Sequence, residues 1–110
     1  MRKIFLLPSL AIVFCCVIFP VTLRAQSDPA KVYTTNCALC HSANGSGDST
    51  AGKALHAKDL RSAEVQAQSD AALAEVIGKG KGKMPAFGAK IPADDLTKLV
   101  ALVRDLEKKK

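Results

Sequence analysis

The pattern of apolar and polar positions divides the chain into an apolar start and a longer amphipathic remainder. Residues 4–21 are almost wholly apolar and follow the basic start Met1-Arg2-Lys3. This order of basic, apolar and then small residues is typical of a secretory signal peptide. We expect residues 1–25 to be removed after Ala25 and residues 26–110 to form one domain in the periplasm or outside the cell. The alternative is an uncleaved anchor, because the apolar stretch is just long enough to span a bilayer.

The first and last parts of the domain carry the clearest helix signals. Asp28-Pro29 predicts a helix start, with an acidic cap and a proline in the first turn, and this helix should run to about Cys40. Pro92 opens a last helix whose apolar residues recur at helical spacing. That stripe consists of Leu96, Leu99, Val100, Val103 and Leu106.

The middle of the domain alternates short helices with glycine-rich loops. Ser62 predicts a helical turn through Val65, and Ser69 caps a longer helix that we expect to stop at Gly78. Residues 41–50 and 78–88 have loop composition. Because no segment alternates with the period of a strand, the sequence predicts an all-α fold of three to four helices.

The composition of this small domain argues against nucleic-acid binding and in favour of a bound group. After loss of Arg2, Lys3 and Arg24, 13 basic and 10 acidic residues leave a formal charge of +3. Tyr33 and Phe87 are the only aromatic residues after the signal, so a stacking surface for nucleic acid is not expected. A hydrophobic core alone is marginal for about 85 residues rich in Ala, Leu and Val. A bound group should therefore help to fill the centre.

The main chemical motif is Cys37-Ala-Leu-Cys40-His41, a C-x-x-C-H sequence typical of covalent haem attachment. Residues three apart on a helix share a face, so each thiol can bind one haem vinyl group while the adjoining imidazole binds the iron. One covalent haem c, attached through both cysteines, is the predicted cofactor. The alternatives are a thiol-exchange pair, a pair of buried inert cysteines, and a zinc site that recruits His56 as a fourth ligand.

Met84 is the candidate for the second axial ligand of that iron. It is the only methionine after the initiator, and it lies in a loop before Pro85 rather than in a periodic apolar segment. A thioether is a soft neutral ligand, and His/Met ligation raises haem potential. The alternatives are that Met84 fills a gap in the core, or that His56 displaces it from the iron.

With these motifs in place, the sequence resembles the class I cytochromes c of bacteria. The resemblance runs from Val32-Tyr33 through C-x-x-C-H and Gly80-Lys-Gly-Lys-Met84-Pro-Ala-Phe87 to the last helix, and Met84 follows His41 by 43 positions. It implies the cytochrome c fold around one covalently attached haem, with His41 proximal and Met84 distal. It also implies that the first helix crosses the last.

The sequence departs from that family at three positions. Pro29 stands near the place of a glycine in the first helix, and Leu102 near that of an aromatic residue in the last. Lys58 lies where similar sequences have a proline whose carbonyl accepts the N–H of the proximal histidine. The acceptor for His41 therefore cannot be named from the sequence.

These features predict a monomeric one-electron carrier rather than an enzyme. Two axial ligands would leave no coordination position for a substrate. Lys79, Lys81 and Lys83 would steer an acidic redox partner towards the haem edge, and no membrane contact is expected after signal cleavage. The alternatives are a haem subunit of a respiratory or dehydrogenase complex and a five-coordinate haem enzyme.

Overall fold

The computed structural model describes residues 25–110. The predicted signal peptide, apart from Ala25, lies outside the described residues. The described part is helical, with an isolated bridge between Lys81 and Met84 as its β-type pairing. Its helices are α1 (Pro29–Asn36), α2 (Ala38–His41), α3 (Thr50–Leu55), α4 (Ala63–Gln66), α5 (Asp70–Lys79) and α6 (Ala93–Glu107). The all-α prediction is confirmed, and α2, α3 and α4 add short turns to the three longer helices.

Side-chain caps fix the starts of four of these helices: Ser49 caps α3, and the other three caps are those that the sequence predicted. The Asp28 carboxylate accepts a hydrogen bond from the Ala30 N–H at 3.0 Å. The hydroxyl of Ser62 caps α4 and that of Ser69 caps α5, each accepting from the N–H three residues later. Such caps satisfy N–H groups that have no partner inside the helix.

Two helix boundaries differ from the prediction. The helix expected to continue to Cys40 is interrupted at Cys37, whose φ of −113° departs from helical values although its N–H still donates to the Tyr33 carbonyl at 2.8 Å. The helix expected to stop at Gly78 continues to Lys79. Gly80 ends it instead, because its backbone turns to a φ of 75° while its N–H still reaches the Val76 carbonyl.

The core consists of two adjoining clusters on either side of α6. Tyr33, Ile91, Leu99 and Leu106 form the first cluster, where α1 meets α6. Val65, Leu73, Val100 and Val103 form the second, where α5 meets α6. The predicted stripe of α6 is thus buried, with Leu96 half-buried at its edge. No helix within residues 25–110 is long and apolar enough to cross a membrane.

Arg104 ties the connection between α4 and α5 to α6. Its guanidinium donates to the carbonyl oxygens of Gln66 and Gln68 and to the Asp70 carboxylate. The Gln66 amide in turn donates to the carbonyls of Leu60 and Val103. These bonds hold one wall of the central cavity against α6.

Candidate functional site

A largely apolar cavity lies between α1, α2, α5 and α6 and the loops that join them. Its empty volume is about 870 Å³, part of which is continuous with solvent. An apolar cleft with a few polar groups is typical of sites that hold small molecules and cofactors. Three of the four predicted site residues, Cys37, His41 and Met84, line this one cavity. The other lining residues are Tyr33, Lys58, Leu60, Glu64, Val65, Gln68, Leu73, Val76, Ile77, Lys81, Leu99 and Val103.

His41 is held by a main-chain acceptor from a different loop. Its Nδ1 atom lies 2.9 Å from the carbonyl oxygen of Lys58. Because a carbonyl oxygen only accepts, Nδ1 carries the proton and Nε2 keeps an unshared electron pair. A hydrogen bond of this kind orients a metal-binding imidazole and makes it a stronger donor to the metal.

The loop that carries Lys58 is kept in place by close contacts between main chains. The N–H of Gly47 donates to the His41 carbonyl at 2.9 Å, and the N–H of Ala57 donates to the Gly52 carbonyl at 2.8 Å. Gly47 has a φ of 72°, and a Cβ atom there would lie 2.7 Å from the Ala57 carbonyl oxygen. Glycine is therefore required for this approach, which brings residue 58 beneath the imidazole.

The two cysteines of the motif are free and half-buried. Cys37 lines the cavity, and Cys40 follows within the same turn, since its N–H donates to the Cys37 carbonyl at 3.2 Å. Burial, together with the neighbouring Cys40, raises the pKa of Cys37 to about 11. The Cys37 thiol is then protonated at neutral pH, which disfavours the thiol-exchange alternative because exchange requires a thiolate.

The position of His56 disfavours the two alternatives that use it. His56 is exposed, ends α3 in the left-handed conformation with a φ of 56°, and is not among the residues that line the cavity. Among residues 25–110, no group of three or more His, Cys, Asp or Glu side chains could hold a metal ion. The geometry thus gives no support to a zinc site or to a second histidine ligand for an iron in the cavity.

Met84 reaches the cavity from a tight turn. The N–H of Lys81 donates to the Met84 carbonyl at 3.1 Å, and the N–H of Met84 donates to the Lys81 carbonyl at 3.0 Å. Gly82 and Lys83 form the tip of this turn. A further bond from the Phe87 N–H to the Ile77 carbonyl, at 3.0 Å, anchors the following segment to α5. Met84 therefore lies in a loop, as expected, and main-chain hydrogen bonds hold that loop in place.

The chemistry of the cavity fits a c-type haem. Apolar walls suit the faces of a macrocycle, and two thiols within one helical turn suit attachment to its vinyl groups. An imidazole nitrogen and a thioether sulfur, from two separate segments, can supply the two axial ligands.

Two features of the site were not assigned from the sequence. The resemblance pointed to position 58, but the acceptor there is the main-chain carbonyl of Lys58, which no side chain marks. The Tyr33 hydroxyl donates to the Ser42 carbonyl at 2.7 Å and so clamps α1 to the residue after His41. The sequence by itself shows Tyr33 only as an aromatic residue. A buried tyrosine hydroxyl usually has a hydrogen-bond partner, and this rule could have predicted the bond.

Known proteins are similar to this chain in sequence. A family model described as cytochrome c oxidase, cbb3-type, subunit III, matches residues 24–103. Cytochrome c6 of Microcystis aeruginosa is 36% identical over 69 residues, which are 63% of this chain and 82% of that protein. Cytochrome c6 of Nostoc sp. (strain PCC 7120 / SAG 25.82 / UTEX 2576) is 32% identical over 105 residues, 94% of this chain and 92% of that protein.

A solved structure agrees with the sequence matches. The KustC0563 c-type cytochrome superimposes with a TM-score of 0.68 and is 31% identical. The match covers 74% of this chain and 99% of that one. The helical arrangement around the cavity is therefore shared along nearly the whole length of that protein.

Proposed function

The chain belongs to the class I c-type cytochromes, and from this membership we propose that it carries single electrons through one haem c. Cys37 and Cys40 hold the haem by thioether bonds, and His41 and Met84 are the axial ligands of its iron. The chain is a carrier of electrons rather than an enzyme. The bound haem supplies an iron that alternates between Fe(III) and Fe(II).

The observation that carries this proposal is the meeting of His41 and Met84 at one apolar cavity. The Lys58 carbonyl holds the His41 imidazole with Nε2 available, and the two hydrogen bonds between Lys81 and Met84 hold the sulfur-bearing residue. Because both ligands are fixed by the chain, little rearranges when the charge on the iron changes, and this favours fast electron transfer. The apolar walls surround most of the site and lower its polarity.

The visible absorption spectrum of the purified protein tests the proposal. We expect a low-spin haem in both oxidation states and, in the ferric form, the weak long-wavelength band that marks a bond between methionine sulfur and iron. Mass spectrometry of the denatured protein should find one haem still attached. A ferric spectrum of the high-spin type would instead support the five-coordinate enzyme alternative, and a protein without haem would contradict the whole proposal.

We also propose that the lysines around the Met84 turn receive an acidic redox partner. Lys81 and Lys83 are exposed, whereas Lys79 is exposed but paired with Glu75 at 2.8 Å. Positive charge near a redox site accelerates encounter with an acidic partner in a salt-dependent way. The test is the ionic-strength dependence of electron transfer for a variant with all three lysines changed to glutamine. If the electron-transfer rate of this variant depends on ionic strength as the wild-type rate does, these lysines do not receive the partner.

The proposed location is the periplasm or the outside of the cell, after cleavage behind Ala25. The supporting observation is the order of basic, apolar and polar residues at the start of the chain. Sequencing the amino terminus of the protein purified from its own cells tests this. A first residue of Gln26 is expected, and an intact start at Met1 in the membrane fraction would indicate an anchor instead.

A second candidate function is that of a haem subunit in a larger respiratory complex. The matching family model, described as an oxidase subunit, is the observation in its favour. Size-exclusion chromatography of a gently solubilised extract separates the two possibilities. A free carrier elutes as a small monomer, whereas a subunit elutes with the mass of its complex.

A further inference from the structure

Lys81 and Met84 are joined by main-chain hydrogen bonds across one turn. They face each other across the two-residue tip of the turn and exchange both of their main-chain hydrogen bonds, at 3.0 and 3.1 Å. Residues directly opposite each other in such a pair project their side chains to the same side. Both residues line the central cavity, and Lys83, one position before Met84, does not. An interaction that fixes the position of Lys81 should therefore also fix the position of Met84.

Lys81 also differs from the other lysines near the cavity in its partners. Lys58, which lines the cavity, is paired with Glu64 at 2.9 Å, and Lys79 is paired with Glu75. Among residues 25–110, no carboxylate lies within ion-pair distance of Lys81. An exposed ammonium at the rim of an apolar cavity, with no acidic partner from the chain, is well placed to bind an anion on the cavity's occupant.

We propose that Lys81 binds a carboxylate of the haem and thereby holds the Met84 turn closed over the iron. Lys81 is then a positioning residue for the distal ligand, in addition to any role in partner docking. This inference rests on the proposed function, because it requires a haem with Met84 as an axial ligand. The carboxylate chemistry is that of the propionate side chains that every haem c carries.

The test measures how readily an added ligand displaces Met84 from the ferric iron. Imidazole is titrated into the wild-type protein, Lys81→Gln and Lys83→Gln, and loss of the methionine–iron band is followed. Lys83 is the matched control because it lies in the same turn, is exposed, and carries the same charge without lining the cavity. An ion pair at a partly exposed site contributes up to about 1 kcal/mol, so Lys81→Gln should bind imidazole roughly fivefold more tightly.

Each outcome has a definite meaning. A fivefold increase for Lys81→Gln with an increase of less than roughly twofold for Lys83→Gln supports the proposal. Equal affinities in all three proteins would overturn it, as would equal increases in both variants, which would indicate a general effect of charge. If the wild-type ferric protein lacks the methionine–iron band, the proposed ligation itself fails, and this result is visible before any variant is made.

Discussion

The Nδ1 atom of His41 lies 2.9 Å from the carbonyl oxygen of Lys58, and this contact determines which ring nitrogen can bind iron. Because Nδ1 donates its hydrogen to this bond, Nε2 is the ring nitrogen that is available to bind iron. The acceptor is a main-chain atom 17 residues away in sequence. The proximal side of the site is thus held by the fold of the 41–58 loop rather than by a second side chain.

The other histidine should be dispensable. We expect His56→Asn to leave the visible spectrum and the reduction potential unchanged, because His56 is exposed and does not line the cavity. Asparagine tolerates the left-handed backbone that residue 56 adopts, so the variant should fold. Spectroscopy and protein-film voltammetry check this, with His41→Gln as the contrasting variant that should lose the low-spin haem.

Replacement of Met84 by leucine separates axial ligation from core packing. Leucine keeps the apolar volume but has no donor atom, so a methionine that only fills a gap would tolerate the change with little effect on stability. We expect instead a ferric spectrum without the methionine–iron band and a fall in potential of roughly a few tenths of a volt. A potential and spectrum equal to those of the wild-type protein would show that the sulfur does not bind the iron.

Two glycines of the Met84 turn should respond differently to alanine. Gly80 combines a φ of 75° with a ψ of 168°, which is open essentially to glycine alone, and a Cβ there would lie 2.6 Å from the Met84 carbonyl oxygen. Gly82 has a φ of 57° and nothing within 4 Å of the added Cβ. We expect Gly80→Ala to cost roughly 3 kcal/mol and to weaken Met84 ligation, and Gly82→Ala roughly 1–2 kcal/mol.

Denaturant unfolding and imidazole titration of both glycine variants check this pair. The comparison is internally controlled, because each variant adds the same methyl group to the same turn. Similar losses in both would mean that the contact between residue 80 and Met84 is unimportant.

Tyr33 should give the protein an alkaline instability of known sign. Burial, with a smaller contribution from Cys37, raises the pKa of Tyr33 from 10.0 to about 12. Since the folded state disfavours the phenolate, this stabilisation is complete below pH 10 and is lost as the pH rises towards 12. The loss at high pH amounts to roughly 2–3 kcal/mol.

The variant Tyr33→Phe isolates this effect. It should lose about 1 kcal/mol near neutral pH, because the 2.7 Å bond to the Ser42 carbonyl is removed. It should then lack the additional decline that the wild-type protein shows between pH 10 and 12. Parallel stability curves for the two proteins across that range would argue against burial of an un-ionised phenol.

The chain made without haem attachment should be largely unfolded. Residues of both core clusters line the apolar cavity, and a domain of this size has little other core to compensate for it. The double variant Cys37→Ala with Cys40→Ala cannot attach haem covalently and is the protein to be measured. Far-ultraviolet circular dichroism should show that most of the helical signal is lost, and native helicity without haem would contradict the idea that the haem completes the core.

The sequence by itself determined the local parts of this protein. Helix caps at Asp28, Ser62 and Ser69 act within three residues, so they could be assigned from the local order of residues alone. The spacing of Cys37, Cys40 and His41 has its meaning within one helical turn, and the apolar stripe of α6 follows from its period. Family membership followed from the same local signals.

Only the tertiary structure decided how these parts meet. The bond from His41 to the Lys58 carbonyl, the meeting of His41 and Met84 at one cavity, and the separation of His56 from that cavity all depend on where loops close. The resemblance pointed to position 58, but main-chain carbonyls are present at every residue, so only the fold shows that the one at Lys58 accepts the bond. Contacts between distant main-chain atoms depend on the path of the whole chain, whereas caps and stripes depend on neighbouring residues.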